Sequence, residues 1–434
     1  RSLKKSPKGD FFAIGYNTNK MQKQIQENTN GFYGLDIAPA LLDILARLRF
    51  KTPTPIQTQA IPVAIQGKDV VGIAQTGTGK TLAFGVPMIQ RLAQVKGQGL
   101  VVLPTRELAL QVDEMLRKVG HSLGLRTAVL IGGTAIWPQV QALSKKPHII
   151  IATPGRLIDH LQNKNLKLDN IFIVVLDEAD RMLDMGFLPQ IQRIIKALPK
   201  HRQTMLFSAT IPSEIMRIAS DYMKLPVRVE IAPTGTTVEK VTQELFIVQR
   251  DKKMHLLQKL LETYNGPTLV FTKTKHGARK VAHQIRMMGV SSSEIHSNRS
   301  LSQRREALEG FKSGKYRVLV ATDIASRGID VVGIELVLNY DLPSQALDYV
   351  HRIGRTARAG AGGHAISFAV PTEQKEVRSI EYLIRKTLPV GKVSGIPDVA
   401  FAEFSSRSHV SRPGRASGSG GSWRYHRRGS FGRR

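Results

Sequence analysis

The chain has 434 residues, which is enough for two or three domains that each bury a core of their own. It contains no cysteine, so disulfide bonds, thiol nucleophiles and cysteine-based zinc sites are excluded. The formal net charge of +29, from 63 basic and 34 acidic residues, indicates a polyanionic partner, most often nucleic acid, or else a solubilising surface.

Residues 1–31 are polar and basic without a sustained period, and we expect them to form a flexible arm. Arg1–Lys8 lacks the apolar core of a signal peptide, and no apolar run reaches the roughly 18 residues that span a bilayer. Together with the absence of cysteine, which suits a reducing compartment, this pattern predicts a cytoplasmic protein without a membrane partner.

Residues 32–231 alternate short β-like runs with helical patterns, which is typical of a doubly wound α/β domain with a parallel sheet. Several runs are continuously apolar, as expected for strands that are buried on both faces. The predicted strands are Val70–Ile73, Leu100–Leu103, Thr127–Ile131, His148–Ile151, Ile171–Leu176 and Thr204–Phe207.

A glycine-rich loop follows the first of these runs and opens into a helical pattern, as a phosphate-binding loop does. Its glycines can curl the backbone around phosphate oxygens. Lys80 can reach the outer phosphates, and Thr81 can ligate Mg²⁺. A plain glycine-rich turn is the alternative, because Ala74 replaces the usual first glycine. The loop consists of Ala74, Gln75, Thr76, Gly77, Thr78, Gly79, Lys80 and Thr81.

Two adjacent carboxylates, Asp177 and Glu178, directly follow the run Ile171–Leu176. Downstream of a phosphate loop, such a pair matches a second nucleotide motif. Asp177 would hold Mg²⁺, and Glu178 would orient and deprotonate the attacking water. A solvated acidic turn is the alternative.

The alternation stops in residues 232–240, where we predict a linker, and restarts in residues 241–388. This second region has no phosphate loop, so the sequence predicts one nucleotide site shared between two similar domains. Its predicted strands are Leu245–Val248, Thr268–Phe271, Ser293–His296, Arg317–Val320, Leu336–Asn339 and Ala365–Val370. Residues 389–434 are rich in Gly, Ser and Arg, and we expect a disordered tail there.

From about Phe32 to Leu388 the chain resembles the DEAD-box ATP-dependent RNA helicases. The motifs that carry the resemblance, in order, are the phosphate loop, Pro104–Ala109, Gly132–Gly133, Thr153–Arg156, Asp177–Asp180, Ser208–Thr210, Val270–Thr274, Ala321–Asp330 and His351–Arg358. The resemblance implies two tandem RecA-like domains, ATP and Mg²⁺ as cofactors, and RNA as the partner. The basic tail and Ala357, in place of a commoner glycine, resemble the bacterial RhlE-like subgroup.

The resemblance further implies that the amide of Gln57 reads the adenine edge, since an amide both donates and accepts hydrogen bonds. Phe32 would stack on the adenine ring, or else only anchor the helix that follows. Arg49 stands where the family usually has glycine. Asp330 would accept hydrogen bonds from the ribose hydroxyls. The other expected nucleotide contacts outside the phosphate loop are Phe50, Pro55 and Gly328.

Arg355 and Arg358 are three residues apart, so on a helix both project from one face. The resemblance implies that they act as arginine fingers on the γ-phosphate from the second domain; exposed surface arginines are the alternative. The expected catalytic set is Lys80, Asp177, Glu178, Arg355 and Arg358.

By the same resemblance, the hydroxyls of Ser208 and Thr210 can bond Asp180, and His351 approaches from the second domain. ATP binding would then be sensed as domain closure, whereas a plain turn at the strand end is the alternative.

RNA is expected at the opposite edge of both domains, through its phosphates and 2′-hydroxyls rather than its bases. The glycines of this set could equally be turn residues. Leu301 stands where the family usually has glutamine, three residues before Arg304. The expected contacts are Pro104, Thr105, Arg106, Gly133, Thr153, Gly155, Arg156, Thr272, Arg304 and Thr322.

These features predict an RNA-stimulated ATPase that locally separates short RNA duplexes or remodels ribonucleoprotein. We expect a monomer whose protein partners belong to ribosome assembly or RNA decay. A DNA translocase and a non-enzymatic RNA clamp are the rival classes. Base-independent contacts encode no RNA target, so the sequence does not name one.

Overall fold

The computed structural model describes residues 31–75, 77–231, 241–323, 331, 333–356, 362–393 and 399–401. Within these ranges the strands form two separate sheets, and every strand pair is parallel. This arrangement confirms the prediction of two tandem doubly wound domains. None of the helices in this part of the chain combines the length and the hydropathy that a membrane-spanning helix requires.

The first sheet has seven strands in the order β3-β4-β2-β5-β6-β1-β7. They are β1 Val70–Ile73, β2 Gln98–Val102, β3 Thr127–Leu130, β4 Ile149–Ala152, β5 Ile171–Leu176, β6 Gln203–Ser208 and β7 Val227–Glu230. The helices of this domain are α1 Pro39–Arg47, α2 Pro55–Ile65, α3 Lys80–Gln94, α4 Arg106–Gly120, α5 Trp137–Ser144, α6 Pro154–Gln162, α7 Ala179–Asp184, α8 Leu188–Lys196 and α9 Ser213–Tyr222. Two short 3₁₀ turns, Phe32–Gly34 and His121–Leu123, complete it.

The second sheet has six strands in the order β10-β11-β9-β12-β13-β8. They are β8 Val241–Ile247, β9 Thr268–Phe271, β10 Ser292–Ile295, β11 Val318–Ala321, β12 Leu336–Asn339 and β13 Gly363–Ala369. The described helices of this domain are α10 Lys253–Thr263, α11 Lys275–Met287, α12 Leu301–Lys312, α13 Ala346–Ile353 and α14 Gln374–Ile384.

The core of each domain lies on both faces of its sheet. In β1, Val70 packs into one apolar cluster of the first domain and its neighbour Val71 into another. This follows from the alternation of side chains along a strand, with helices covering both faces. Continuous apolar runs such as Val70–Ile73 therefore form interior strands, as their sequence predicts.

The sequence did not predict β7, which pairs with β1 at the edge of the first sheet. Arg228 and Glu230 interrupt its apolar pattern because they are exposed on the solvent side of an edge strand.

The second domain also extends past its predicted end at Leu388. Pro389 accepts a hydrogen bond from the Leu245 amide, Gly391 donates one to the Leu245 carbonyl, and Val393 packs on the domain core. The predicted tail boundary was therefore too early. The remainder of the predicted tail from 402 onward, the arm through residue 30 and the linker 232–240 lie outside the described residues.

Candidate ATP and RNA sites

The glycine-rich loop connects β1 to α3 as the sequence predicts. Gly77 and Gly79 have φ of 87° and 88°, the left-handed region that glycine enters without a steric cost. Lys80 begins the helix, is buried, and donates from Nζ to the Ala74 carbonyl at 3.0 Å. The Thr78 hydroxyl donates to the Gln75 carbonyl at 2.7 Å. The loop is therefore curled tightly at a helix N-terminus, where backbone N–H groups favour phosphate.

Gln57 ties the first turn of α2 to this loop. Its Oε1 accepts from the Thr54 amide at 2.9 Å, and its Nε2 donates to the Gly79 carbonyl at 3.0 Å. A Cβ at Gly79 would overlap the Gln57 amide, so glycine is required there for space as well as for φ. Each end of the Gln57 amide retains one further hydrogen-bonding capacity, which the predicted contact with adenine needs.

The two aromatic residues that were expected to contact the nucleotide, Phe32 and Phe50, pack on the core of the first domain. Phe32 is 4% exposed and belongs to the core cluster of the first domain, and Phe50 packs against the same cluster. Pro55 occupies the first turn of α2, where its missing N–H costs nothing. Of the two roles that the sequence left open for Phe32, the structure shows packing, and stacking on adenine stays a prediction.

Asp177 and Glu178 lie at the carboxyl end of β5, both buried. Glu178 adopts a left-handed backbone with φ of 52° at the start of α7, and its amide donates to Asp177 Oδ1 at 2.9 Å. The Glu178 carboxylate forms a buried ion pair with Arg181, one turn further along. Sequence reasoning missed Arg181, although its position three residues after Glu178 is a recognisable helical spacing.

Burial raises the pKa of Asp177 to about 6, opposed by the nearby Lys80 ammonium and assisted by the Glu178 charge. Burial also acts to raise the pKa of Glu178, but Arg181 and Lys80 outweigh it, with help from Arg355, and hold that pKa at about 2. Glu178 is therefore ionised throughout the neutral range. The two carboxylates thus differ in proton affinity although both are buried and adjacent in sequence.

Asp180 connects this acidic segment to the end of β6. Its Oδ2 accepts from the Ala209 amide at 3.1 Å, the Thr210 amide at 2.8 Å and the Thr210 hydroxyl at 2.8 Å. The Ser208 hydroxyl accepts from the Asp180 amide at 3.2 Å. The two segments therefore share one hydrogen-bond network, in which the Ser208 hydroxyl bonds the backbone rather than the carboxylate.

The second domain approaches this network through α13. Arg355 and His351 line one cavity together with Arg181 of the first domain. Burial lowers the pKa of His351 to about 4, reinforced by Arg181 and Arg355 and opposed by Asp180. The charges of the two domains thus act on one another at the carboxylates that follow β5.

Arg352, which sequence reasoning did not select, fixes α13 within its own domain. It donates to both carboxylate oxygens of Asp323, at 2.6 and 2.8 Å, and to Asn339 Oδ1 and the Asp341 carbonyl. These four hydrogen bonds fix the guanidinium and thereby position the neighbouring His351 and Arg355.

The predicted RNA residues of the first domain follow the neighbouring strands β3, β4 and β2, whereas the nucleotide motifs follow β5, β6 and β1. All lie at the carboxyl ends of parallel strands. The two sets therefore occupy two halves of the same sheet edge, and the expectation of opposite edges was wrong.

Arg106, Gly133 and Arg156 are brought together on this edge. Gly133 has φ of 72°, and a Cβ there would overlap the Arg106 guanidinium. Arg156 donates to the Thr134 carbonyl at 3.0 Å, so the loop that contains Gly133, after β3, lies between Arg106 and Arg156. Thr105 and Thr153 precede α4 and α6 and are mostly buried, Pro104 is buried, and the position of Gly155 is open to solvent space.

Two predicted RNA contacts need correction. Arg304 is buried and lies 3.1 Å from Glu107 of the first domain, so it joins the domains instead of facing a ligand. Thr272 is fully buried and donates its hydroxyl to the Thr274 carbonyl. Thr322 is partly exposed at the end of β11. Sequence alone could not locate Glu107 opposite Arg304, because the contact joins positions far apart in the chain.

Some predicted residues lie outside the described part of the chain. They are Thr76, Gly328, Asp330 and Arg358.

Two parallel-sheet domains, one phosphate loop, paired carboxylates after β5 and an arginine contributed by the second domain define a nucleotide-driven helicase. Comparison with known proteins gives the family. The sequence profile of the DEAD/DEAH box helicases matches residues 54–218, and that of the helicase conserved C-terminal domain matches residues 252–360. The chain belongs to the DEAD-box ATP-dependent RNA helicases.

Relatives and solved structures agree. The ATP-dependent rRNA helicase RRP3 of Debaryomyces hansenii is 41% identical over 362 residues, covering 82% of this chain and 76% of that protein. The DEAD-box ATP-dependent RNA helicase CshA of Bacillus cereus is 42% identical over 360 residues, covering 82% and 69%. The structure of S. cerevisiae Dbp5 bound to RNA and ADP BeF3 is 28% identical with a TM-score of 0.73, covering 84% of this chain and 96% of that one.

The protein is therefore an ATP-dependent RNA helicase that couples ATP hydrolysis to the unwinding or remodelling of RNA. Its partner is RNA, and it uses a nucleotide.

Proposed function

We propose that ATP is hydrolysed between the two domains, at the phosphate loop, by water that Glu178 orients and deprotonates. The observation that carries this proposal is the position of Glu178. Its carboxylate is buried at the end of β5, held by Arg181 and close enough to Lys80 and Arg355 that their charges lower its pKa. An ionised carboxylate fixed in this way accepts a hydrogen bond in every catalytic cycle, so it can orient the water, and it takes the proton as attack on the phosphate makes that water acidic.

The residues present also fit Mg²⁺. Among the described residues no group of three or more His, Asp or Glu side chains is placed to hold a metal. Mg²⁺ needs no such cage, since it is commonly held by one or two protein oxygens with phosphates and water. Thr81 and Asp177 supply those oxygens, and Mg²⁺ bound there would neutralise charge on the phosphates.

Lys80 and the two arginines of the second domain, Arg355 and Arg358, are proposed to stabilise negative charge on the outer phosphates. Gln57 is proposed to select adenine, because its anchored amide keeps one donor and one acceptor position. The network of Asp180, Ser208 and Thr210 would transmit occupancy of this site to His351.

RNA is proposed to lie along the other half of the first domain's sheet edge. Arg106 and Arg156 flank the Gly133 loop there, which offers guanidinium groups and exposed backbone to phosphates. Such contacts read no bases, so binding should be sequence-independent. ATP and RNA would each favour closure of the domains, and closure would bend one strand and separate a short duplex.

The proposal also covers the subgroup, the oligomeric state, the location and the protein partners. We propose a cytoplasmic monomer of the RhlE-like subgroup, acting with proteins of ribosome assembly or RNA decay. The excess of positive charge and the arginine-rich C-terminal sequence support RNA as the main ligand.

The proposal is tested with Glu178→Gln, a near-isosteric change that removes the base. We expect it to lower RNA-stimulated ATP turnover by about 100-fold or more while ATP and RNA still bind. Glu214→Gln, on the exposed first turn of α9, is the matched control and should behave as the wild type. Unchanged turnover in Glu178→Gln would overturn the proposed mechanism, and equal stimulation by DNA and RNA would favour a DNA translocase.

A further inference from the structure

Leu301 belongs to the second domain, yet its side chain packs against the first. It is the first residue of α12 and is partly buried against the apolar cluster built from residues between Phe32 and Val229. The same residue departs from the family resemblance, which has glutamine at this position. This chain therefore has an apolar leucine at the domain interface where the family pattern has a polar glutamine.

The orientation of Leu301 is fixed by the cap of its helix. The Ser300 hydroxyl accepts from the Gln303 amide at 3.3 Å, and Gln303 Oε1 accepts from the Ser300 amide at 3.0 Å. Both the backbone amide and the side-chain oxygen of Gln303 thus form hydrogen bonds within the first turn of α12. Gln303 does not take over the role of the glutamine that Leu301 replaces.

Leu301 is one of a series of contacts along a groove between α4 and α12. The groove has a volume of about 290 Å³, and its apolar part is formed by Leu110 on α4 with Leu301 and Leu308 on α12. One turn beyond Leu301, Arg304 meets Glu107 in a pair whose side chains are each 8% exposed.

Charges at the rim of this groove are complementary as well. Glu114 of α4 has a lowered pKa, caused mainly by its hydrogen bond to Lys118. Lys312 and Arg305 of α12 lower this pKa further, so their positive charges face Glu114 across the groove. Apolar and charged contacts therefore act along the same pair of helices.

We propose that Leu301 is a positioning residue that holds α12 against α4 and thereby stabilises the closed arrangement of the two domains. An apolar side chain needs no hydrogen-bond partner in this contact, whereas glutamine must bury or satisfy an amide. Closure then requires less help from RNA than it would with glutamine. This inference rests on the proposed function, in which closure precedes hydrolysis.

The test compares Leu301→Gln, which restores the residue of the family pattern, with the conservative Leu301→Met. We expect Leu301→Gln to raise the RNA concentration for half-maximal ATPase stimulation about fivefold, because a partly buried leucine contributes a fraction of its full transfer energy. Turnover of Leu301→Gln at saturating RNA should stay near the wild-type rate. Leu301→Met should keep the wild-type RNA concentration for half-maximal stimulation. Leu383→Gln, on the part-exposed α14 of the same domain, is the matched control.

A direct measurement of closure completes the test. Because the chain has no cysteine, Lys196→Cys and Lys375→Cys place one dye on each domain without background labelling. With a non-hydrolysable ATP analogue and limiting RNA, energy transfer should report fewer closed molecules for Leu301→Gln than for Leu301→Met.

Equal closure and equal RNA dependence in Leu301→Gln and Leu301→Met would overturn the inference. So would a fall in saturated turnover with no change in RNA dependence. Failure of the proposed catalytic mechanism would appear separately, as undiminished turnover in Glu178→Gln.

Discussion

Thr210 donates its hydroxyl hydrogen to Asp180 Oδ2 at 2.8 Å, and the same oxygen accepts from the Thr210 and Ala209 amides. Three donors on one carboxylate oxygen hold the segment after β6 against the acidic segment after β5. A change in either segment is thus passed to the other through a single charged group. His351 of the second domain is close enough for Asp180 to influence its pKa.

Replacing Thr210 by valine keeps the shape of the side chain and removes this hydroxyl donor. A hydrogen bond to a charged group contributes about 1.5–3 kcal/mol, so we expect duplex separation per ATP hydrolysed to fall about tenfold or more. RNA-stimulated ATPase and strand separation are measured on the same preparation. Thr210→Ser, which retains the hydroxyl, should preserve the coupling; a loss in Thr210→Ser with none in Thr210→Val would show that the methyl group matters instead.

The fold and the local geometry of the phosphate loop and of the carboxylate segment could largely be predicted because their signals are local. Continuous apolar runs marked interior strands, and four of the predicted strands have the bounds that the structure gives them: Val70–Ile73, Ile171–Leu176, Thr268–Phe271 and Leu336–Asn339. The phosphate loop and the carboxylates after β5 are contiguous segments whose geometry follows from a strand, a turn and a helix. The described nucleotide residues therefore lie where their sequence context places them.

The residues that were misassigned depend on contacts between distant parts of the chain. The role of Arg304 is set by Glu107, nearly two hundred residues earlier, and no local pattern connects them. Thr272 is buried by its surroundings in the second domain although its motif suggested a ligand contact. Arg181 was missed for a different reason: its partner is only three residues away, and helical spacing would have revealed it.

Arg49 shows how the structure accommodates a departure from the family pattern. It has φ of 63° at the end of α1, in a left-handed turn closed by hydrogen bonds from the Phe50 amide to the Leu45 carbonyl and from the Arg49 amide to the Ala46 carbonyl. Arg49→Gly should raise the free energy of unfolding by about 0.5–1 kcal/mol, because glycine relieves the left-handed strain. Arg47→Gly, at the last residue of α1, should lower it by about 0.5–1 kcal/mol, because Arg47 is helical and glycine loses more conformational freedom there. Urea unfolding measures both, and changes of the same sign would refute the strain argument.

Glu107 and Arg304 offer a second test of the domain interface. Their carboxylate and guanidinium are 3.1 Å apart but lack hydrogen-bond geometry, so the pair acts through charge rather than through a directed bond. Glu107→Gln or Arg304→Gln leaves one buried charge unpaired, which costs about 1–3 kcal/mol or more, so we expect each to raise the RNA concentration for half-maximal ATPase stimulation about tenfold or more.

The double variant Glu107→Gln, Arg304→Gln should lose less than the sum of the single losses, which a double-mutant cycle measures. Glu306 and Lys315 form an exposed pair at 2.8 Å in the same domain, and Glu306→Gln is the control, with an expected effect near zero. Strict additivity of the two interface variants would mean that Glu107 and Arg304 do not act on each other.

His351 should make the protein sensitive to acid. Burial and the charges of Arg181 and Arg355 lower its pKa to about 4, while Asp180 and Asp348 oppose them. The unfolded chain binds this proton near the ordinary pKa of about 6.5, whereas the folded protein binds it only near pH 4. The contribution of neutral His351 to the free energy of unfolding is therefore fully present above pH 6.5 and is lost as the pH falls toward 4. We expect acidification from pH 7.5 to 5 to lower the free energy of unfolding by about 1 to 3 kcal/mol more in the wild type than in His351→Asn. Thermal unfolding of both proteins at the two pH values measures this difference, and other histidines with lowered pKa values affect both proteins alike. Equal losses in the two proteins would show that His351 is not the responsible group.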